Sequence, residues 1–445
     1  MNNIVSVIGA GLAGCEAAWT LANMGISVKL YDMKPKKFTP AHKYNGLCEL
    51  VCSNSLKAER PDSAAGLLKL EMRRLGSATM PVADKTRVPA GGALAVSRED
   101  FSDGVTEKIL SHPKIEFISE EITEIPDGYV IVATGPLTSD AFSESIKDLI
   151  GEDYLYFHDA AAPIVTRDSL DMSRVFEASR YDKGDADYLN CPMDKDEYLA
   201  FYNELISAET APLHEFEKSG NDNYKVYEGC MPVEALAKRG VDTMRFGPLK
   251  PVGLTDPNTG RRPYAVVQLR KENTEGTMYN LVGFQTNLKF GEQKRVFSMI
   301  PGLKDAEFMR YGVMHRNTYL NSPMLLDKHF CLKKEPRIYF AGQMTGVEGY
   351  TESAASGIYA AMSLGRRLLG LSEITLPLET MTGSLANYVE TGSPSGFQPM
   401  GANMGILPEL TGQVPEVIKN KQLKYSMLSE RAMNALEQVL TDAGN

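Results

Sequence analysis

The amino-acid sequence predicts an α/β protein in which a Rossmann-type domain is divided by an inserted mixed α/β domain. Three observations support this prediction. A glycine-rich turn joins a short apolar run to a helical pattern at the start of the chain, two later apolar runs end in small-residue turns, and the part between them is rich in short apolar runs and turn signals. We expect residues 1–160 and 330–445 to form the divided domain and residues 161–329 to form the insertion.

A complete β-α-β unit opens the chain. Ile4–Ile8 is an apolar run of the kind that forms a buried parallel strand. Cys15–Met24 has apolar residues at helical spacing, and Gly25 stands where such a helix would end. Ile26–Tyr31 predicts the second strand, with an acidic residue at its end. This context favours a dinucleotide site over an ordinary glycine turn.

The turn itself has the residue types that a pyrophosphate requires. Gly9 allows a tight turn, Gly11 lets the backbone approach the phosphates, and Gly14 lets the helix pack closely on the sheet. The helix N-terminus offers free N–H groups, and an acid after the second strand can accept hydrogen bonds from ribose hydroxyls. The candidate cofactor-binding residues of this unit are Gly9, Ala10, Gly11, Leu12, Ala13, Gly14 and Asp32.

Two later segments are expected to join the same sheet. Tyr129–Gly135 and Arg337–Gly342 each predict a strand that ends in small residues, and the second leads into a helix expected over Glu352–Leu369, with Thr351 as its N-cap. The loop between them can face the flavin end of FAD, although an ordinary strand-loop-helix has the same pattern. Its candidate residues are Gly342, Gln343, Thr345, Gly346 and Tyr350. In the insertion, Tyr264–Leu269 and Tyr279–Phe284 predict strands.

Charge is distributed unevenly along the chain. The net charge is −10, yet residues 238–340 contain 18 Lys and Arg against 9 Asp and Glu. Such a basic block attracts phosphates, so RNA is a candidate partner, but charges spread over several solvated faces give the same count. The candidate phosphate contacts are Arg245, Lys250, Arg270, Lys289, Lys294, Arg295, Arg310 and Arg316.

Composition excludes several other classes of protein. No apolar run is long enough to span a bilayer, and the first residues have no signal-peptide pattern, so we expect a cytoplasmic protein without a membrane partner. The six cysteines are scattered and form no metal-binding spacing, so we expect no metal site. Cys48 and Cys52 are four residues apart, which would place them on one face of a helix. No second G-x-G-x-x-G indicates a separate NAD(P)H domain.

The sequence as a whole resembles the bacterial folate- and FAD-dependent tRNA (uracil-5-)-methyltransferases. The resemblance runs along nearly the whole chain and rests on stretches unlike generic flavoprotein patterns. Besides the glycine turn, these stretches are residues 49–57 (ELVCSNSLK), 89–96 (PAGGALAV), 187–193 (DYLNCPM), 228–234 (EGCMPVE), 245–254 (RFGPLKPVGL), 310–318 (RYGVMHRNT) and 340–350.

The resemblance implies the reaction and two catalytic cysteines. A one-carbon unit passes from methylenetetrahydrofolate to C5 of uridine 54 in the T-loop of tRNA, with FAD reduced by NAD(P)H, and gives ribothymidine. Cys230 matches the nucleophile that activates C5 by adding to C6 of uracil. Cys52 matches a second active-site cysteine near the flavin. Cys15, Cys191 and Cys331 fit packing roles. Cys48 departs from the small residue expected there, and we predict that oxidation joins it to Cys52.

Four alternatives stay open at this stage. The same chemistry could act on a uridine of ribosomal RNA. The related FAD proteins that modify the tRNA wobble uridine share the 340–350 loop but are longer, with a C-terminal helical domain. The chain could instead be a thiol-dependent flavin oxidoreductase that uses Cys48 and Cys52, or a non-catalytic, FAD-stabilised RNA-binding protein. The oligomeric state and the residues that contact folate and NAD(P)H are not indicated.

Overall fold

The computed structural model describes residues 4–151, 155–160, 162–182, 186–211, 231–273, 275–312, 314–395, 397–410 and 420–444. Its strands are β1 (Ile4–Ile8), β2 (Ser27–Asp32), β3 (Ser55–Ala58), β4 (Arg87–Val88), β5 (Ala93–Val96), β6 (Ile115–Ser119), β7 (Tyr129–Val132), β8 (Leu155–Ala160), β9 (Ile164–Thr166), β10 (Phe176–Glu177), β11 (Tyr188–Met193), β12 (Ala265–Lys271), β13 (Met278–Leu281), β14 (Phe308–Arg310), β15 (Met314–Tyr319) and β16 (Ile338–Phe340).

Its helices are α1 (Leu12–Asn23), α2 (Ala64–Arg74), α3 (Thr79–Lys85), α4 (Arg98–Leu110), α5 (Asp140–Ile150), α6 (Lys195–Ser207), α7 (Val233–Lys238), α8 (Thr243–Phe246), α9 (Phe290–Phe297), α10 (Ser322–Leu325), α11 (Tyr350–Leu368), α12 (Met381–Thr391) and α13 (Lys421–Gly444).

A parallel sheet forms the centre of the first domain. Its strand order is β16-β7-β1-β2-β6, so β1 lies in the middle with β7 and β2 on either side. Val7, Leu30 and Ile131 are fully buried, as expected for strands covered on both faces. Helices α1 and α11 pack so closely that a Cβ on Gly357 would lie 2.2 Å from the carbonyl oxygen of Ala13.

The insertion has its own sheet and its own core. Its antiparallel sheet has the order β10-β11-β12-β13-β9-β14, and α6 and α9 supply buried side chains such as Phe201 and Phe297. The chain enters through β8 and leaves through β15, which pair with each other as an antiparallel ribbon. The predicted fold class, a Rossmann-type domain with an inserted mixed α/β domain, is therefore confirmed.

Some element boundaries differ from those predicted. Helix α11 begins at Tyr350 with Gly349 as its N-cap, whereas the sequence analysis gave this role to Thr351. The hydroxyl of Thr351 donates to Oε2 of Glu352 (2.9 Å), so it is engaged inside the first turn. In the insertion, β13 is shorter than predicted and ends at Leu281, two residues before Gly283, whose φ is +78°.

A small antiparallel sheet, β3-β5-β4, stands beside the parallel sheet. The backbone N–H of Val96 donates to the carbonyl oxygen of Asn54, and Nδ2 of Asn54 donates to the carbonyl oxygen of Val96, so both contacts hold the residue before β3. Nearby, the buried carboxylate of Glu71 on α2 accepts hydrogen bonds from the backbone N–H groups of Met381 and Thr382 at the start of α12. Burial raises the pKa of Glu71 to about 7.

Candidate functional site

A cleft of about 490 Å³ opens at the carboxyl ends of the parallel strands. This is the edge at which Rossmann-type sheets bind ligands. Residues from both halves of the first domain line it, together with Gln285, which follows β13, and Asn317, which lies on β15. Of the predicted cofactor residues, those in the lining are Gly9, Ala10, Gly11, Leu12, Ala13, Asp32, Gly342, Gln343 and Tyr350.

The glycine turn combines close packing with open space. Gly9 has φ +100°, and a Cβ there would lie 2.5 Å from the carbonyl oxygen of Ala133. A Cβ on Gly14 would lie 1.7 Å from the carbonyl oxygen of Gly9. A Cβ on Gly11, by contrast, would have nothing within 4 Å, and Gly11 caps α1 without a side-chain hydrogen bond. Gly9 and Gly14 are thus required by the fold, whereas Gly11 keeps a space free above the N-terminus of α1.

Asp32 stabilises this turn directly. Its Oδ2 accepts a hydrogen bond from the backbone N–H of Ala10 (2.8 Å), and its Oδ1 accepts one from the N–H of Lys34 (2.9 Å). The carboxylate therefore links the end of β2 to the glycine turn. It also lines the cleft.

Three predicted cofactor residues lie outside the lining. Gly14 is buried under Gly9, as described above. Thr345 donates through both its N–H and its hydroxyl to the carbonyl oxygen of Gly342, and the backbone of Gly346 packs against Phe397. These residues shape the two turns, and their assignment as cofactor contacts stays a prediction. The sequence could not separate the two roles, because the same residue types serve both.

Cys52 and Tyr350 meet at one wall of the cleft. The Tyr350 hydroxyl oxygen accepts hydrogen bonds from the backbone N–H groups of Cys52 (2.8 Å) and Ser53 (3.3 Å), and it lies 3.0 Å from Sγ of Cys52. Burial raises the pKa of Tyr350 well above its usual range, so the side chain is a neutral phenol. With its two lone pairs accepting N–H groups, the phenol has its own proton available to donate to the sulfur.

Arg98 lies behind this pair and was not identified from the sequence. Its guanidinium donates to the carboxylate of Glu272, on the segment after β12, and to the carbonyl oxygen of Leu50. Burial alone would lower the pKa of Arg98, but Glu272, Tyr350 and Cys52 carry it above its ordinary value. Arg98 thus joins the two domains and places a positive charge near the Cys52 thiol.

Arg270, a residue of the insertion, contacts the loop that carries Cys52. Its Nε donates to Oδ1 of Asn54 and its guanidinium also donates to Oγ of Ser53, both at 2.9 Å. The residue is 7% exposed, and burial lowers its pKa. This burial differs from that of a surface phosphate contact, and a contact of Arg270 with tRNA stays a prediction. Arg270 is buried because it pairs the insertion with the loop that carries Cys52.

The remaining basic candidates differ in burial and in pairing. Arg245 packs over the ring of Tyr264 (3.6 Å to the centroid) and pairs with Asp242 (2.6 Å), so it serves the local fold. Arg310 is partly buried, and burial together with Arg98 lowers its pKa. Arg316 belongs to β15, but its side chain lies outside what the structure describes.

Four of the candidates are exposed. Lys250 and Lys294 are open to solvent. Lys289 pairs with Glu209 (2.5 Å), and Arg295 pairs with Glu204 (2.5 Å) and Glu292 (2.7 Å). Exposed ion pairs are weak, so these side chains stay accessible to a stronger partner.

The cysteines fall into three groups. Cys230 lies outside the described residues. Cys191 and Cys331 are buried thiols, and burial raises their pKa values to about 12 and about 11. Cys48 and Cys52 lie in a turn and a bend, so the prediction that they share a helix face is wrong. The Cys48 thiol contacts that of Cys15, and its oxidative bridge to Cys52 stays a prediction.

Within the described part of the chain, no group of three or more His, Cys, Asp or Glu side chains is arranged to hold a metal ion. No helix in that part is long and apolar enough to cross a membrane.

Comparison with known proteins gives a consistent result. Residues 4–372 match the family described as glucose inhibited division protein A. The methylenetetrahydrofolate–tRNA-(uracil-5-)-methyltransferase TrmFO of Brevibacillus brevis is 57% identical over 441 residues, 99% of each chain. Enzymes of the same name from Ligilactobacillus salivarius (57% identical, 98% of each chain) and Acetivibrio thermocellus (56%, 99% of each chain) are similar over the same length.

Among solved structures, two crystal forms of Aquifex aeolicus GidA share the fold. The form I structure superposes with a TM-score of 0.68 at 15% identity, and form II with 0.65 at 14%. Both comparisons cover 98% of this chain and about three quarters of the other (76% and 75%).

Proposed function

The chain belongs to the methylenetetrahydrofolate–tRNA-(uracil-5-)-methyltransferase family, and we propose that it transfers a one-carbon unit from methylenetetrahydrofolate to C5 of a tRNA uridine. The proposed target is uridine 54 of the T-loop, and the product is ribothymidine. One observation carries the proposal beyond family membership. The glycine turn, Cys52 and Tyr350 come from three distant segments and line one cleft.

The residues of the cleft fit FAD. The space above Gly11, the uncapped N-terminus of α1 and the acid at the end of β2 match what a dinucleotide pyrophosphate and ribose require. Gly342, Gln343 and Tyr350 would lie along the flavin half. When bound and reduced by NAD(P)H, FAD supplies the hydride that completes the methyl group.

Cys230 is the proposed nucleophile. Its thiolate adds to C6 of uracil, and the electron pair of the C5–C6 double bond moves towards C5 and O4, which makes C5 a carbon nucleophile. C5 bonds to the one-carbon unit and loses its proton, and the electron pair left at C5 then expels the amine nitrogen that carried the carbon. A hydride adds to the resulting exocyclic methylene, the thiolate leaves C6, and the C5–C6 double bond returns. Val233, three residues after Cys230, donates its N–H to the carbonyl oxygen of Gln285 (2.7 Å), which lines the cleft; this contact supports the assignment.

Cys52 is the proposed acceptor of the C5 proton. The phenol proton of Tyr350 and the charge of Arg98 both favour the thiolate form, which a proton acceptor needs. The uridine lies inside a folded loop of tRNA and must be swung out to reach both cysteines. The exposed cations Lys250 and Lys294 are proposed to contact phosphates of the same RNA.

The decisive experiment supplies all three substrates. The purified holoprotein is incubated with an unmodified tRNA transcript, methylenetetrahydrofolate and NADPH, and the digested RNA is analysed for ribothymidine by mass spectrometry. We expect product from the wild type and from Cys331→Ala, whose thiol lies outside the cleft lining, and none from Cys230→Ala. Cys52→Ala is expected to form product at least a hundredfold more slowly, on the order of the loss that follows removal of a general base.

The outcomes separate the alternatives. Ribothymidine formed on ribosomal RNA but not on tRNA would keep the chemistry and change the substrate. NADPH oxidation linked to a small thiol substrate, without RNA product, would indicate an oxidoreductase. Bound FAD with no turnover under any of these conditions would contradict catalysis altogether.

A further inference from the structure

A ladder of aromatic rings leads from the core of the insertion to its surface. Phe297 is fully buried and packs against Phe308 (6.4 Å between ring centroids). Phe308 stacks on Tyr311 at 5.3 Å with an interplanar angle of 11°, and Tyr311 stacks on Phe290 at 5.0 Å and 16°. Phe290 ends the ladder and is 55% exposed. Its ring stacks on Tyr311, and about half of the residue is still open to solvent.

The ladder is held rigidly. Gln293, a buried residue of α9, donates from Nε2 to the carbonyl oxygen of Gly312 and accepts the N–H of Gly312 at Oε1, both at 2.8 Å. This double contact ties α9, which begins at Phe290, to the segment that carries Tyr311. An exposed ring that is already fixed in place loses little entropy when a second ring stacks on it.

The ladder also ends near the cleft. Gln285 lines the cleft and precedes Phe290 by five residues, and a chain of that length spans at most about 18 Å. A polynucleotide whose target base enters the cleft would therefore pass within reach of Phe290.

The charged side chains around Phe290 indicate which kind of ligand this surface can bind. Lys289 and Arg295 are already paired with Glu209, Glu204 and Glu292, whereas Lys294 is exposed. Phe290 therefore presents an exposed aromatic ring beside cations of which all but Lys294 are held in weak ion pairs. A flat face beside a basic segment is what unstacked nucleobases bind.

We propose that Phe290 is a stacking platform for a nucleobase of the substrate RNA, positioned to hold the strand while the target uridine occupies the cleft. This inference rests on the proposed function, because it takes the RNA from there. It predicts a contact that contributes affinity without neutralising phosphate.

The test measures tRNA binding by the holoenzyme across a range of KCl concentrations, together with kcat and KM. Phe290→Ala is expected to weaken binding and raise the KM for tRNA about tenfold, as the loss of one base-aromatic stack does, with kcat within about twofold of wild type. The slope of log Kd against log salt should stay unchanged, because no phosphate contact is lost. Phe290→Trp should bind as wild type does. Lys294→Ala should instead reduce the slope.

Leu369→Ala is the matched control, since Leu369 is 49% exposed and lies at the far end of α11, about 28 Å along the helix from Tyr350. Unchanged tRNA binding by Phe290→Ala, a reduced salt slope, an equal loss in Leu369→Ala, or a change in the KM for the folate alone would each overturn the inference. If Phe290→Ala fails to fold, judged by thermal melting and the flavin spectrum, Phe290→Leu against Phe290→Trp makes the same comparison. Absence of ribothymidine from the wild type would remove the proposed function, while the binding series would still decide whether a base stacks on Phe290.

Discussion

The glycine turn between β1 and α1 is held mainly by its own β-α-β unit, through Asp32, with Ala133 packed against Gly9, whereas the hydrogen bonds of the loop that carries Cys52 come mainly from residues far away in the chain. Asp32 reaches Ala10 across 22 positions. Tyr350 contacts Cys52 across 298 positions, and Arg98 contacts Glu272 across 174. The first wall of the cleft is fixed by excluded volume and backbone conformation, and the second by hydrogen bonds and buried charge.

Substitutions in the two walls of the cleft are therefore expected to have different effects on the protein. A change in the turn affects the space that a cofactor requires, and most of the structure can persist around it. A change behind Cys52 leaves a buried charge or donor without its partner, and the free energy of unfolding falls.

The largest effect is expected from Arg98→Met. This change leaves Glu272 buried without its counter-ion, so the free energy of unfolding should fall by about 3–5 kcal/mol. Urea denaturation of the variant measures the loss. The double variant Arg98→Met/Glu272→Met removes both charges and should recover most of the stability. Equal losses in the single and double variants would place the cost in lost packing rather than in unpaired charge.

The contact of Glu71 with the start of α12 should make a contribution to the free energy of unfolding that depends on pH. The folded-state pKa, about 7, is above the usual value for a glutamate, so the contribution of Glu71 is fully present below about pH 4.5 and is lost as the pH rises through 7. The stability of the wild type relative to Glu71→Gln should therefore fall by about 2–3 kcal/mol between pH 5 and pH 8. The exposed Glu430→Gln is the control, and a pH-independent difference for Glu71→Gln would contradict the expectation.

Substitution of two glycines of the turn should show which of them is needed for folding and which for FAD binding. Gly14→Ala forces a methyl group against the carbonyl oxygen of Gly9, so we expect about 2 kcal/mol of destabilisation together with loss of FAD. Gly11→Ala meets no atom within 4 Å, so the apoprotein should melt within a few degrees of wild type while FAD binding weakens about tenfold or more. Thermal melting with and without FAD measures both. Unchanged FAD affinity in Gly11→Ala would show that the space is not used.

The smallest effect on stability is expected from Tyr350→Phe, about 1 kcal/mol, from the lost hydrogen bonds to the backbone of Cys52 and Ser53. The main effect of Tyr350→Phe should be on the reactivity of the Cys52 thiol. Without the phenol proton the Cys52 thiolate is less stabilised, so the pH midpoint for alkylation of Cys52 should rise. Iodoacetamide labelling followed by mass spectrometry of the Cys52 peptide measures this, with Tyr339→Phe as a tyrosine control outside the cleft lining. An unchanged midpoint would mean that the sulfur is the donor to the phenol.

The same contrast explains how far the sequence could predict the site. The turn from Gly9 to Asp32 was predictable because its residue types and spacing follow from the geometry of one β-α-β unit. The placement of Cys52 and Tyr350 in one cleft came from a family resemblance, since no local pattern relates positions 298 residues apart. Arg98 and Glu272 were missed because isolated charged residues carry no signal of burial. The burial of Arg270 was missed for the same reason. The domain limits at 160/161 and 329/330 and the roles of the individual site residues stay predictions.

The sheet order of the first domain has a consequence for synthesis on the ribosome. Its edge strand β16 ends at Phe340, and the loop that completes the cleft follows as far as Tyr350. At roughly 5–20 residues per second the cleft is therefore incomplete for the first 17–70 s or so of translation. The insertion has all its strands by Arg310, so its own sheet can form while the first sheet still lacks an edge. FAD can therefore bind only late in the synthesis of each chain. Its binding indicates that the two halves of the divided domain have packed together.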